Sequence, residues 1–187
     1  EEGTISYDGD CTSATTSASS GNNTITFATL SDGLHNNCAI VVTDALGNAS
    51  SPLVVTAFSI DGTAPDITSV VLSDTSLTIG ETALVTITFT EAVSNFDNTD
   101  VTTIDNGTLS AVSSEDGITW TATFTPTNSV EDNTNIITVT ESGITDTAGN
   151  SGIDKRDSAN YVVDTLRPTI TSVNSDKANG SYKVGEV

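Results

Sequence analysis

The chain has 187 residues, of which 25 are Asp or Glu and 5 are Lys or Arg, so its formal net charge at pH 7 is −20. Lys155 is the first basic residue, and the chain before it carries acidic charge alone. A surface of this sign repels nucleic acid and anionic lipid, which argues against both as partners. The sequence also lacks an apolar run of about 18 residues, so no membrane insertion is expected.

The first sixty residues predict a small β domain. β-Branched and aromatic residues indicate four strands, at residues 4–7, 24–28, 38–43 and 53–60. The two cysteines of the chain, Cys11 and Cys38, both lie here, and no cluster of His or Cys accompanies them. We therefore expect one disulfide between them, which indicates an oxidising compartment. The alternative is a pair of buried free thiols.

The next hundred residues show clearer strands. Val85, Ile87 and Phe89 alternate with threonines, and the same period of two runs from Ile118 to Thr125, as a half-buried strand requires. Weaker strands are predicted at residues 67–72, 100–104, 108–113, 135–140 and 160–163. Asn-Gly and Asp-Gly pairs at residues 105–107 and 115–117 are typical of tight hairpin turns. Seven short strands around a core anchored by Trp120 predict an immunoglobulin-like β-sandwich.

Two motifs recur at a nearly fixed distance along the chain. Thr-Asp-x-x-Gly-Asn occurs at residues 43–48 and 145–150, and Asp-x-x-x-Pro-x-Ile-Thr-Ser-Val occurs at 61–70 and 164–173. Such a period indicates an array of similar domains. We predict a first domain at residues 1–61 without its opening strands, a full domain at 62–164, and the first strand or strands of a third at 165–187.

Four segments of the middle domain together resemble the bacterial Ig-like repeats of giant secreted, RTX-type surface adhesins. They are residues 65–70, 87–93, 120–126 and 145–150. The resemblance implies tandem all-β sandwiches on the bacterial cell surface, which act as extenders and often bind calcium between domains. The partners it implies are neighbouring domains of the same chain, with a distal adhesion target that the sequence does not reveal.

Strand order gives a physical basis for a metal site between the domains. In a seven-stranded antiparallel sandwich, the connections after the second, fourth and sixth strands return to the pole where the chain enters. Glu91 closes the second strand, Asp146 opens the turn after the sixth, and Asp61 lies in the linker entering that pole. Such a carboxylate cluster would repel itself without a cation, and Ca²⁺ prefers oxygen ligands of this kind. We therefore predict one Ca²⁺ at each joint.

Four further residues complete the predicted metal set. Asn150 or Asp100 is expected to assist at the same joint, Asp164 to begin the equivalent site of a third domain, and Asp44 to serve a preceding joint. Mg²⁺ is an alternative ion. Asp-x-x-Gly-Asn is also a good turn sequence without any metal, so turn chemistry alone remains an alternative explanation of the motif.

An enzymatic function is not expected. His35 is the only histidine and lies in a Gly-Leu-His-Asn-Asn segment typical of a surface turn, and no nucleophile, base and acid can be assembled within the middle domain. The leading hypothesis is a structural extender stiffened by calcium. The alternative is a module that binds a glycan, ice or a host protein through the threonine rows at residues 86–90 and 119–125.

Overall fold

The computed structural model describes residues 2–174 and 179–185. Strands dominate these residues, with one 3₁₀ turn at Asn98–Asp100 and no α-helix, which confirms the all-β class. Within the described ranges, no helix has the length and apolar character needed to cross a bilayer.

Residues 2–61, called the first domain below after the predicted division, form a small sheet and a separate strand pair. Strands β1, β2, β4 and β5 form the sheet in the order β2-β1-β4-β5, while β3 pairs with β6. The strands are β1 (Gly3–Asp8), β2 (Ser17–Ala18), β3 (Gly33–His35), β4 (Ala39–Thr43), β5 (Leu53–Val54) and β6 (Phe58–Ile60). A disulfide joins Cys11 to Cys38 with their Cα atoms 5.3 Å apart, as predicted. Both cysteines are buried, so the bridge takes the place of a larger core.

Residues 62–164, called the second domain below after the predicted division, contain twelve strands. They are β7 (Ile67–Leu72), β8 (Ser76–Thr78), β9 (Ala83–Phe89), β10 (Val93–Ser94), β11 (Val101–Ile104), β12 (Gly107–Leu109), β13 (Thr119–Pro126), β14 (Glu131–Asn135), β15 (Ile137–Thr140), β16 (Thr145–Asp146), β17 (Lys155–Asp157) and β18 (Tyr161–Asp164). One sheet has the order β12-β13-β9-β7. In the other sheet, β14 and β15 follow one another along the chain as one interrupted strand. β14 pairs antiparallel with β18, and β15 pairs antiparallel with β17. The outer strands are β11, which pairs with β15, and β8, which pairs with β18.

The hydrophobic core lies between these two sheets. Its largest fully buried side chains, Tyr161, Phe89 and Phe124, come from both, and the rings of Phe124 and Tyr161 meet edge to face at 5.1 Å. Trp120 is only half-buried: it packs edge to face on Phe96 and donates its indole N–H to the carbonyl of Gly117 at 2.9 Å. Trp120 therefore packs at the edge of the core and does not anchor it as predicted. The centre of the core is formed by Tyr161 and two phenylalanines.

Several local predictions are wrong for identifiable reasons. Residues 24–28 form no strand and make only an isolated bridge from Phe27 to Ser13. Residues 53–60 divide into β5 and β6, which belong to different strand groups. The turn at 105–107 is not a hairpin, because β11 and β12 pair with strands of opposite sheets. Its Asn106, at φ 49°, instead turns the chain from one sheet to the other.

The tail after β18 contains no strand within its described residues, 165–174 and 179–185. The strand expected to open a third domain is therefore not formed there, which is reasonable because an extended segment gains backbone hydrogen bonds only from a partner strand. Part of that expectation falls on residues 175–178 and 186–187, which lie outside the described residues. The division of the chain into three domains stays a prediction.

Candidate metal site at the domain joint

Three carboxylates from separate parts of the chain meet beside the linker between the two domains. Asp61 directly follows β6, Glu91 lies just after β9, and Asp146 ends β16. One oxygen from each lies within 4.8 Å of the others. Asp61 is exposed, Glu91 is half-buried and Asp146 is buried, so the cluster extends from solvent into the end of the second domain.

A short ribbon of two strands brings two of these carboxylates together. β10 and β16 pair antiparallel, with Val93 opposite Asp146 and Ser94 opposite Thr145. Pairing of these segments holds the chain that follows β9 against the loop between β15 and β17. Glu91, two residues before Val93, is thereby placed beside Asp146.

Asp146 is held by the turn that it begins. Its Oδ1 accepts the backbone N–H groups of Gly149 at 2.6 Å and Asn150 at 2.9 Å, and its Oδ2 accepts the Asn150 amide at 2.7 Å. Gly149 adopts φ 98°, a conformation that favours glycine. Burial alone would raise the pKa of Asp146, but the hydrogen bonds from Asn150, Gly149 and Ala148 outweigh it and hold the pKa below its ordinary value. The carboxylate is therefore kept charged and fixed in direction.

Asn150 connects this turn to the linker. Besides bonding Asp146, its amide Nδ2 donates to the backbone carbonyl of Asp61 at 3.0 Å. The predicted assisting residue thus bridges two of the acidic residues through its N–H groups. Its hydrogen bond to the Asp61 carbonyl holds the linker against the second domain.

Glu91 shows the electrostatic cost of the cluster. Burial raises the pKa of its carboxyl, and the nearby charges of Asp61 and Asp146 raise it further. Like charges this close disfavour ionisation of one member unless a cation compensates them. One oxygen of each carboxylate lies within 4.8 Å of the other two, so the three are close enough for one ion with Ca–O distances of about 2.4 Å to bind them all. The residues present therefore fit a divalent cation with oxygen ligands.

The other predicted ligands lie elsewhere. Asp100 belongs to the 3₁₀ turn at Asn98–Asp100, where its Oδ2 accepts the backbone N–H of Asp97 at 2.9 Å. It caps this turn and does not join the three converging carboxylates. Asp100 was predicted to assist at the joint, but the capping box that it forms with Asp97 uses its side chain.

Asp164 and Asp44 occupy the positions that the repeat implies. Asp164 ends β18, opposite Glu131, and its Oδ1 accepts the backbone N–H of Leu166 at 3.3 Å. Asp44 repeats the turn of Asp146, accepting both the backbone N–H and the side-chain amide of Asn48 at 2.8 Å. These bonds, led by the one from the Asn48 side chain, lower the pKa of Asp44.

Two residues at the joint escaped the sequence argument. Asp32 accepts hydrogen bonds from Gly62 and Thr63 of the linker. Glu141, almost fully buried, accepts the backbone N–H groups of Ile67 and of Asp154, the latter at 3.1 Å. Asp32 stands in a Ser-Asp-Gly sequence that indicates no more than a turn, and Glu141 follows a strand like any exposed acidic residue.

His35 also differs from its expected position. It lies in β3 and is 6% exposed, with its ring stacked 5.4 Å from that of Phe58. Its Nε2 lies 2.9 Å from the carbonyl oxygen of Ser31, and its Nδ1 is 3.5 Å from a carboxylate oxygen of Asp10. The histidine is part of the packing of the first domain, and the turn-like glycine and asparagines around it concealed this.

The outer face of the β12-β13-β9-β7 sheet carries the predicted threonine rows. Thr119 lies opposite Thr88, and Thr121 lies opposite Thr86. Leu84 and Val71 lie on the same face and are each about half exposed. The face is therefore a mixture of hydroxyl, methyl and larger apolar groups.

Comparison with known proteins identifies one family. The sequence model of a family described as a bacterial Ig-like domain matches residues 61–163, which is more than half of the chain. Neither the curated proteins nor the solved structures contain a match to the chain. The matched range contains all three converging carboxylates and begins at Asp61.

Proposed function

Because this chain belongs to the bacterial Ig-like domain family, we propose that it is a structural extender of a bacterial surface adhesin, stiffened by a calcium ion at the joint between its domains. Domains of this family are typically extracellular and non-enzymatic. The single observation that supports the extender role is the meeting of Asp61, Glu91 and Asp146 within 4.8 Å. Asp61 comes from the linker, whereas the other two come from the body of the second domain.

A cation in this cluster would connect the linker to the second domain. Carboxylates supply part of the six to eight oxygens that Ca²⁺ takes, and backbone carbonyls and water supply the rest. The ion would offset the repulsion that raises the pKa of Glu91. It would also stabilise the ordered joint by mass action, by about 2.7 kcal/mol when free calcium is a hundred times its dissociation constant.

The consequence for the whole protein is mechanical. A linker that bends freely makes successive domains a flexible chain, whereas a linker fixed at each joint makes them a rod. The hydrogen bond from Asn150 to the carbonyl of Asp61 already restricts this linker. Calcium would complete that restriction and hold a distal domain away from the cell surface.

Small-angle scattering of the chain tests the stiffening. We expect the maximum dimension to fall and the scattering to indicate greater flexibility when a chelator removes calcium. The Asp146→Asn variant should resemble the chelated protein at all calcium concentrations. Asp116→Asn, which removes an acidic residue from a loop where it accepts the Ile118 and Thr119 N–H groups, should behave like the wild type. Identical scattering of the wild type with and without calcium would refute the mechanical role.

A second candidate function is ligand binding by the threonine face. The observation that favours it is the outward row formed by Thr119, Thr121, Thr86 and Thr88 beside the exposed Leu84. Hydroxyl and methyl groups on a flat sheet suit a glycan, an ice surface or a host protein. Glycan binding that Thr121→Lys abolishes, together with scattering that calcium does not change, would support this function over the extender.

A further inference from the structure

The linker is also held from the side of the first domain, by Asp32. Its Oδ1 accepts the backbone N–H of Gly62 at 2.9 Å, and its Oδ2 accepts the hydroxyl of Thr63 at 2.8 Å. Both partners directly follow Asp61 in the linker. One carboxylate of the first domain thus binds two consecutive linker residues.

We propose that Asp32 is a positioning residue that clamps the linker and orients Asp61 toward the cation cluster, so that the joint is partly rigid before any ion binds. The calcium part of this proposal rests on the proposed function above. The clamp itself concerns hydrogen bonds within the protein and can be tested without calcium.

Strand pairing explains why Asp32 can reach the linker. Asp32 immediately precedes β3, and β3 pairs with β6, with Gly33 opposite Ile60. The residue before Gly33 is therefore beside the residues that follow Ile60. His35 anchors the same segment, because it is buried at the end of β3 and lies 2.9 Å from the Ser31 carbonyl. The clamp is thus built on a paired strand and not on a free loop.

The linker is held at three consecutive residues. Thr63 donates its backbone N–H to Asp61 Oδ1 at 3.2 Å and its hydroxyl to Asp32. The carbonyl of Asp61 accepts the amide of Asn150 from the second domain. Asp32 and Asn150 therefore hold the linker from opposite domains, and Asp61 lies between them with its side-chain direction set by Thr63. Loss of either partner would release Asp61 from its position in the cluster.

Two substitutions distinguish a clamp from a simple negative charge near the cation. Asp32→Asn removes the charge but keeps an oxygen that can accept from Gly62 and an amide that can donate to the Thr63 hydroxyl. Asp32→Ala removes both hydrogen bonds and the charge. If Asp32 acts by position, only the alanine variant will lose calcium affinity and the shared orientation of the domains. If Asp32 acts by its charge or as a ligand, both variants will lose them.

The experiment combines calcium calorimetry with residual dipolar couplings of the full chain, which report whether the two domains share one orientation. We expect Asp32→Ala to weaken calcium binding by about tenfold, as removal of a residue that orients a ligand commonly does, and to decouple the domains even in chelator. Asp32→Asn should stay within about twofold of the wild-type affinity and keep the shared orientation. Asp74→Ala is the matched control, since it removes a half-buried Asp that accepts a backbone N–H from Ser76 beyond the end of β7 opposite the linker.

Each of the other outcomes has a definite meaning. Equal impairment of the asparagine and alanine variants would show that Asp32 acts through its charge and would overturn the clamp. Wild-type behaviour of Asp32→Ala in both measurements would also overturn it. Absence of calcium binding by the wild type would refute the proposed function alone, because the couplings measured in chelator would still show whether Asp32→Ala frees the domains.

Discussion

At the scale of single residues, the joint combines carboxylates in opposite electrostatic situations. Asp146 is buried but hydrogen-bonded, and its pKa lies below the ordinary value. Glu91 lies beside two other carboxylates, and burial with their charges raises its pKa. Ionisation of Glu91 therefore opposes folding when no cation is present, whereas ionisation of Asp146 favours it.

This difference predicts a pH effect that reverses with calcium. In chelator, the folded state should bind the Glu91 proton more tightly than the unfolded chain does, because folding raises the pKa of Glu91. This stabilising contribution should be fully present below the ordinary carboxyl pKa of 4.5, and it should be lost as the pH rises through the raised pKa of the folded state. Calcium needs the charged form, so its affinity should decrease as acidification protonates Glu91. Thermal unfolding of the wild type and Glu91→Gln across this range, with chelator and with calcium, measures both effects. If the difference between the two proteins does not vary with pH, this description of Glu91 is wrong.

Asn150 and Asn48 form a matched pair for a second prediction. The side-chain amide of each asparagine donates a hydrogen bond to the Asp that begins its turn. Asn150 also donates one to the backbone carbonyl of Asp61 in the linker, and no such bond is found for Asn48 among the described residues. We expect Asn150→Ala to destabilise the joint by about 1 kcal/mol for each lost hydrogen bond and to weaken calcium binding. Asn48→Ala should leave calcium binding unchanged. Calorimetric titration of both variants measures this, and equal calcium affinities would contradict a special role for Asn150.

At the scale of strands and turns, the sequence predicted what local pattern controls. Alternation of Val85, Ile87 and Phe89 with threonine placed β9 correctly, and β7 was predicted with its observed ends. The turn at 105–107 was assigned to a hairpin because Asn-Gly is compatible with positive φ in any context, and the choice of partner strand depends on the core. Asp100 was misplaced because its capping interaction depends on Asp97, three residues earlier, and not on strand order.

The disulfide is the element that compensates for the small core of the first domain. It closes a span of 27 residues, and the chain-entropy argument gives about 3–4 kcal/mol for a loop of that size. We expect Cys11→Ala/Cys38→Ala to unfold the first domain at a lower temperature while the second domain keeps its own transition. Differential scanning calorimetry with and without a reducing agent measures this. An unchanged first transition in the double variant would show that the bridge contributes little.

At the scale of the whole molecule, the acidic charge and the repeat predicted the kind of site but not its full construction. The sequence hypothesis grouped Asp61, Glu91 and Asp146 by the alternation of strands between two poles, and one oxygen of each does lie within 4.8 Å of the others, although the domain has twelve strands where seven were predicted. Asp32 and Glu141 could not be predicted, since each binds a backbone N–H distant in sequence, that of Gly62 at 30 residues and that of Ile67 at 74, whose position only the folded chain defines. The sequence thus indicated the carboxylates, and the structure adds the hydrogen bonds that hold the linker beside them.

The central claim is that the linker and the second domain share one cation, and isothermal titration of calcium into four proteins tests it most directly. The wild type should bind one ion per chain at this joint. Asp61→Asn and Asp146→Asn should each weaken that binding by on the order of tenfold or more. Asp44→Asn, which alters the equivalent turn of the first domain, should not affect it. Wild-type affinity in both the Asp61 and Asp146 variants, or no binding by the wild type, would contradict the account.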